Sequence, residues 1–385
     1  MKILLLAPHP FFKERGTPIA VDLLLQNYAR KNVAVDVLTY HEGENKCYNN
    51  VTIRRIPPLW IKNIRPGFSA KKIWCDLFFF RTALQMIDNN KYELIHAVEE
   101  SVFMALFFKK KKGIPYVYDM DSSMPSQIAD NSKLFKPLLP LMKKMEQIAL
   151  QNAIIVLPVC EELANIAEQA GNTSTIILRD ISLLYRSISQ PHELSSIRKT
   201  FKIGGIIFLY LGNLEPYQGI DLLLHATAKA RNIIPTAKIV IAGGTDKDIK
   251  KYQQKAYKHG INDMVIFIGH KSLEEMGNLF AEADILVSPR ISGNNTPMKI
   301  YSYLDSGKAI LATDLPTHTQ VLNESCALLV SPTPDSFANG MIKLAQDVDL
   351  RDRLGQAAKL IATEHYSISA YEKACLLYTS PSPRD

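Results

Sequence analysis

The sequence predicts an α/β fold made of two doubly wound, Rossmann-like domains, and three observations carry that reading. Short apolar runs of strand length alternate with longer amphipathic stretches of helical period. The alternation pauses in a polar segment, 179–200, and then restarts. A chain of 385 residues also suits two domains better than one. We place a first domain at 1–180, a second at 198–365 and a closing helix at 366–374 that returns to the first domain. Residues 375–385, ending Ser-Pro-Ser-Pro-Arg-Asp, read as a non-native tail and are set aside.

The elements follow in order. Lys2–Ala7 and 33–40 are strands. Between them 19–31 is a helix, with Ile19, Leu23, Leu24 and Tyr28 on one face. Further strands fall at 94–97, 116–118 and 154–158, separated by helices at 81–91, 99–112 and 138–152. The second half repeats the scheme. Its strands fall at 206–212, Lys238–Ala242, Val265–Gly269, Ile285–Ser288, 309–312 and 327–330, and its first helices at 220–232 and 247–259. Such an order implies parallel sheets covered by helices on both faces.

Composition narrows the class. Five scattered cysteines lack metal-ligand spacing and read as reduced cytosolic thiols. No apolar run approaches the ~18 residues of a membrane span, and the short run at the start breaks at Pro8, as a first strand rather than a leader. The expected location is the cytoplasm. Net charge is +7. Residues 1–150 hold 22 Lys and Arg against 14 Asp and Glu, so the excess lies in the first half, which points to an anionic partner there.

Ligands of open α/β sheets bind beyond the carboxyl ends of the strands, and five segments with suitable chemistry fall at such junctions. Gly16 and Thr17 follow the first strand. Gly16 permits a tight turn and Thr17 can cap a helix beginning at Pro18 or Ile19, leaving amides for a phosphate or sugar hydroxyl. Asp119 and Asp121 follow another strand; such a pair can hold a divalent metal, cap a helix or contact sugar hydroxyls. Gly212, Asn213, Gln218 and Gly219 form a possible anion cradle. Gly243 and Gly244 allow close backbone approach to a ligand. The richest segment runs from Ser288 through Arg290, Gly293, Asn294, Asn295, Thr296 and Pro297 to Lys299. There a strand enters a polar loop, a helix starts near Pro297, and Arg290 and Lys299 supply positive charge. The absence of a Gly-x-Gly-x-x-Gly motif argues against a nicotinamide dehydrogenase.

Taken together these segments resemble the GT4-type glycosyltransferases of GT-B fold, two Rossmann-like domains facing a central cleft. The resemblance covers residues 1–374 and is stronger in the second half. Members carry Gly-Arg-Leu and Lys-Gly after the first strand of the second domain, where this chain has Gly212-Asn213-Leu214 and Gln218-Gly219. Phe267-Ile268-Gly269-His270 and Ala283-Asp284-Ile285 through Ser288-Pro289 match two further elements. Lys299 through Tyr303 to Gly307-Lys308 matches the helix signature that follows them.

The resemblance implies a nucleotide-diphosphate sugar, UDP- or GDP-linked, bound against the second domain. The base would lie near Gly269 and His270, and the Gly16–Thr17 loop would close over it. It implies transfer with retention and without metal or cofactor, with Asp121, Arg290 and Lys299 as the catalytic set. Gly212, Asn213, Gln218, Gly243, Gly244, Asn294, Asn295, Thr296, Pro297 and Ser302 would complete the donor site. Four positions depart from the family. Asn213 and Gln218 stand where Arg and Lys are usual, Ser302 where a Glu contacts the ribose, and Asp121 where a His is common. Neutral donors bind phosphate more weakly than charged ones, so a catalytically weakened partner subunit that binds nucleotide-sugar or glycan is the alternative.

The acceptor is expected to be a glycan or a lipid-linked molecule of cell-envelope polysaccharide synthesis. Three basic-apolar stretches of the first half suit a peripheral position on an anionic membrane surface. They are 60–74 with Lys62, Arg65, Lys71 and Lys72; 107–112 with four lysines; and 134–144 with Lys136, Lys143 and Lys144. They lack the motifs of nucleic-acid readers, and no nucleic-acid partner is expected.

Overall fold

A computed structural model of the chain describes residues 1–14, 16–62, 64, 69–125, 136–172, 174–186, 196–293 and 295–379. Arg65, Leu134, Asn294 and much of the predicted linker lie outside them. The chain forms two compact units, Met1–Arg179 with Glu372–Asp385, and Asp180–Tyr371.

Unit 1 is built on six parallel strands: β1 (Lys2–Ala7), β2 (Ala34–Thr39), β3 (Val51–Arg55), β4 (Leu94–Val98), β5 (Tyr116–Met120) and β6 (Ile155–Pro158). Their order is β3-β2-β1-β4-β5-β6. β1 is apolar almost throughout because helices cover both of its faces. The helices are α1 (Gly16–Arg30), α2 (Ala70–Asn89), α3 (Ser101–Lys112), α4 (Leu139–Asn152) and α5 (Glu161–Gln169). The chain runs outward from β1 through α1 to β2, then returns through α2 to β4 and steps on through α3 and α4. Right-handed crossovers therefore place α2, α3 and α4 on the face opposite α1. The core agrees: Phe79 and Ala83 of α2, Phe108 of α3 and Ala149 of α4 share one apolar cluster with Leu4 and Leu6 of β1.

Three elements of unit 1 differ from expectation. β3 is an edge strand whose Val-Thr-Ile-Arg-Arg sequence is only partly buried, so no apolar run marks it. α2 begins at Ala70 rather than at 81, capped by Ser69, whose Oγ accepts from Lys72 N at 3.3 Å. Its inward stripe (Cys75, Phe79, Ala83, Met86) is flanked by outward Ile73, Trp74 and Leu77, and apolar residues on both sides erase the helical period. α1 begins at Gly16, so Thr17 lies within its first turn instead of capping it.

Unit 2 carries β7 (Ile207–Leu211), β8 (Lys238–Ala242), β9 (Val265–Gly269), β10 (Ile285–Ser288), β11 (Ala309–Thr313) and β12 (Leu328–Val330), also all parallel. The order β12-β11-β10-β7-β8-β9 is that of unit 1 read from the other edge. Its helices are α6 (Ile197–Thr200), α7 (Ile220–Ala230), α8 (Asp246–Lys258), α9 (Met276–Glu282), α10 (Lys299–Ser306), α11 (Pro316–Thr319), α12 (Pro334–Gln346) and α13 (Val348–His365). α14 (Ile368–Thr379) ends the described chain, and its Glu372 pairs with Arg30 of α1. Asp284 anchors the start of unit 2, accepting from Arg198 Nη2 at 2.6 Å and Ile207 N at 2.8 Å. In each sheet the winding reverses once, between β1 and β4 and between β7 and β10. Doubly wound sheets form their ligand crevice at that reversal.

Candidate active site

In unit 2 the loops leaving β7 and β10 interlock. Gly219 has φ +76, and a Cβ there would stand 1.8 Å from the Pro289 carbonyl oxygen, so no other residue fits. Ile291 N donates to Tyr217 O at 2.9 Å across the same contact. Beside them the backbone steps across neighbouring strand ends: Gly212 N donates to Ala242 O at 3.0 Å, and Gly243 N to Gly269 O at 2.6 Å. A Cβ on Gly243 would lie 2.0 Å from Gly212 O. At Gly219 and Gly243 the missing side chain lets neighbouring loop backbone pack directly against the strand ends.

Two cations border this floor. Lys299, the first residue of α10, directs Nζ over the Tyr210 ring at 3.9 Å from its centroid, and its hydrogen-bond partner is Gln218 Oε1 at 3.5 Å. Arg290 braces the loop after β10. Its Nε donates to Ser292 O at 2.9 Å, and Nη1 to Asn295 O at 2.8 Å and Thr317 Oγ1 at 3.0 Å, while the guanidinium lies over Tyr217. Neither cation has a carboxylate partner among the described residues. Burial and the nearby Arg290 hold the Lys299 ammonium well below the ordinary lysine pKa, and burial also lowers Arg290. His318 lies fully buried behind them, bridging Ser288 Oγ and Thr313 O. Burial, aided by Lys299 and Arg290, pushes its pKa down to about 3, so it is neutral. Thr296, buried one turn before α10, has a hydroxyl without a hydrogen-bond partner among the described residues. Two half-buried cations side by side are costly until an anion neutralises them, so the arrangement is chemically suited to a multiply charged anion.

The structure thus gathers Gly212, Gln218, Gly243, Gly269, Arg290, Asn295, Thr296 and Lys299 at one strand-end floor. Gly244 lies against Leu214, and His270 is exposed just after β9. Asn213 is exposed, its Oδ1 accepting from Glu215 N at 3.2 Å. Ser302 is fully buried, its hydroxyl accepting from Leu183 N at 3.0 Å. Pro297 precedes the helix rather than opening it; α10 starts at Lys299, and Ile300 N closes the turn on Pro297 O. The sequence reading assigned Tyr210, Tyr217 and Tyr303 no role of their own although they fall in the candidate segments, and it did not mark His318, because aromatic and imidazole groups at strand and helix ends carry no spacing signal. Tyr303 accepts from Leu211 N at 3.0 Å, fixing the end of β7 against α10.

The matching edge of unit 1 is acidic. Thr17 Oγ1 donates to Glu99 Oε1 at 3.3 Å, joining the first turn of α1 to the loop after β4. Glu99 has φ +50, and its pKa is pushed up to about 7 by burial and by Glu100, against the pull of Lys72 and Thr17. Lys72 pairs with Glu100. Asp76, held by the Tyr40 hydroxyl, is likewise raised to about 7 by burial and by Glu100. Asp119 turns to His96 Nε2 at 3.3 Å, and His96 in turn to Tyr28, whereas Asp121 is partly exposed after β5. Two consecutive glutamates directly after a strand were the signal available for this cluster.

Comparison with known proteins names the fold. Residues 195–361 match the family described as Glycosyl transferases group 1, and residues 15–178 match Glycosyltransferase Family 4. The chain belongs to the GT4-type glycosyltransferases. An uncharacterized glycosyltransferase of Methanocaldococcus jannaschii is 24% identical over 382 residues, covering 90% of each chain. Sucrose-phosphate synthase from Thermosynechococcus elongatus superposes with a TM-score of 0.81 at 17% identity, covering 98% of both chains. HepE from Anabaena, solved with UDP-glucose, superposes at 0.76 and 17% identity, covering 99% of this chain and 100% of that one. The GT4-type glycosyltransferase therefore has the GT-B fold, with its two six-stranded parallel sheets.

Proposed function

We propose that this glycosyltransferase takes its sugar from a UDP-sugar, with a GDP-sugar as the second choice, and binds the diphosphate at the β7–β10 strand ends of unit 2. The observation that carries the reading is the Lys299–Arg290 pair, half-buried beside the glycine-bearing strand ends and without a carboxylate partner among the described residues. HepE, of the same fold, holds UDP-glucose, which supports the uridine donor. In this reading Lys299, Gln218 and the Thr296 hydroxyl hold the phosphates. Lys299 and Arg290 stabilise the negative charge that grows on the departing diphosphate, the usual task of preorganised cations. The leaving phosphate takes the acceptor proton on the same face, so configuration is retained and no metal is required. Within unit 1, Asp121, Gly16 and Thr17 offer groups that suit sugar hydroxyls. The acceptor is a glycan or lipid-linked hydroxyl of envelope polysaccharide synthesis. The enzyme works in the cytoplasm, where its free thiols stay reduced.

Calorimetry with UDP, GDP and ADP, with and without magnesium, tests this reading. Metal-independent binding of UDP or GDP, weakened by Lys299→Ala, is expected. Failure of all three to bind folded protein would refute the donor site. Binding without donor hydrolysis or transfer would instead favour the partner-subunit reading, to which Asn213 and the enclosed Ser302 lend support.

A further inference from the structure

The chemistry above leaves one face of unit 1 unused. Helices α2, α3 and α4 lie side by side on it, with Phe80 of α2 packed 5.3 Å from Phe107 and 5.5 Å from Phe108 of α3. Their inward stripes fill the core, yet their outward stripes are apolar as well: Trp74 is 53% exposed, Leu77 58% and Leu141 58%. Ile73, Phe107 and Met145 continue the patch, and Trp60, just ahead of α2, is wholly exposed. Exposed Lys71, Arg81, Lys110, Lys111, Lys143 and Lys144 alternate with them.

The three helices carry nine Lys and Arg against three acidic residues, and each acidic residue is already engaged. Asp76 is held by Tyr40, Glu146 accepts from Ser123 and Met124 N, and Asp88 pairs with Lys112. On the flank of α2, a cavity of about 410 Å³ is lined by Arg54, Arg55, Thr82, Gln85 and Asn89. There the Arg54, Gln85 and Asn89 side chains face solvent, while Arg55 is held by the Tyr40, Glu42 and Glu44 carbonyls.

We propose that this α2–α3–α4 face docks unit 1 on an anionic lipid leaflet. Its aromatic and aliphatic side chains enter the headgroup–acyl boundary, and its lysines face the lipid phosphates. The flanking arginine cavity takes one headgroup phosphate. A bilayer fits better than a protein partner, because lysine is depleted where proteins bury apolar surface against each other. Long lysine stems among exposed tryptophan and leucine suit a boundary that is apolar below and charged above. Helix α8 of unit 2 shows the contrast. It is rich in lysine, but its large exposed apolar residue is Tyr257 alone, and it is an ordinary solvated helix.

Co-sedimentation of the full chain with vesicles tests the proposal without turnover or donor, so its failure is separate from failure of the donor reading. Binding is expected to mixed phosphatidylcholine–phosphatidylglycerol vesicles, not to phosphatidylcholine alone, and it should weaken as salt rises. Lys110→Glu with Lys111→Glu and Lys143→Glu should lower partitioning roughly a hundredfold or more, and Trp74→Ser with Leu141→Ser should also lower it. Lys247→Glu with Lys250→Glu and Lys251→Glu on α8 should leave it unchanged. Melting followed by circular dichroism checks that each variant is folded. No sedimentation with anionic vesicles overturns the proposal, and so does equal loss from the α8 control. A dimer in gel filtration that Trp74→Ser dissociates, without vesicle binding, assigns the face to a second copy and overturns it too.

Discussion

The two units share one strand order and place their reversal points alike, yet the same edge of the sheet carries opposite charge in each. At the β1–β4 reversal carboxylates are crowded, and Glu99 and Asp76 are pushed up to about 7. At the β7–β10 reversal cations are crowded, and Lys299 and Arg290 are pushed down. Burial destabilises the charged form in both places. The fold supplies the same strand-end reversal twice, and the loops decide which sign of charge sits there. In the reading proposed above, the cationic end is the one that takes the diphosphate.

The largest break in this comparison should come from the glycine floor of unit 2. Gly219→Ala forces a Cβ into the Pro289 carbonyl, and Gly243→Ala forces one into Gly212 O. Urea unfolding should show a loss of about 3 kcal/mol or more for each, from combined clash and left-handed strain, whereas Gly204→Ala, in open space, should cost much less.

Next, Lys299→Glu places a carboxylate where the diphosphate is needed. UDP affinity should fall at least a hundredfold with the fold retained, against roughly ten- to a hundredfold for Lys299→Ala. Unchanged affinity in calorimetry would remove Lys299 from the site.

A subtler effect is protonic. An arriving diphosphate raises the lowered pKa of Lys299, so binding should take up protons at pH values between its folded pKa and the ordinary lysine range. Calorimetry in two buffers of different ionisation enthalpy reads that uptake, and Lys299→Met should abolish it.

The smallest effects should show in stability against pH, with opposite slopes for the two units. Glu99 is raised when folded, so its contribution is complete below its unfolded value and is lost as pH climbs to about 7. Glu99→Gln should therefore melt higher than the parent at pH 8, with the gap closing by pH 5. His318 is lowered to about 3, so the parent loses stability as pH falls below about 6.5, the ordinary histidine value. His318→Gln should flatten that acid limb of the melting curve.

Much of this was legible in the residues. Strands such as Lys2–Ala7 and Ile285–Ser288 are buried on both faces and announce themselves as apolar runs. The polar loop from Arg290 to Lys299 marks a strand end with more polar side chains than a plain connection uses. β3 was not legible, because an edge strand needs no apolar run, nor was the first half of α2, whose exposed apolar residues blur its period. Thr17 read as a helix cap because its true partner, Glu99, is distant in sequence. Ser302 read as a ligand contact, and the structure shows its hydroxyl turned to the Leu183 backbone.

By itself, then, the sequence determined the alternation of strand and helix, the two-part division and the polar, glycine-bearing loops at the strand ends. Those follow from periodicity and from residue types that act within a few positions of themselves. Only the tertiary structure decided that Lys299 lies over Tyr210 beside Gln218, that Arg290 braces its own loop, and that Glu99, Asp76 and Lys72 meet at one edge. Burial and charge–charge proximity depend on which strand ends lie side by side. That adjacency is set by the winding of the sheet, which brings together residues far apart along the chain.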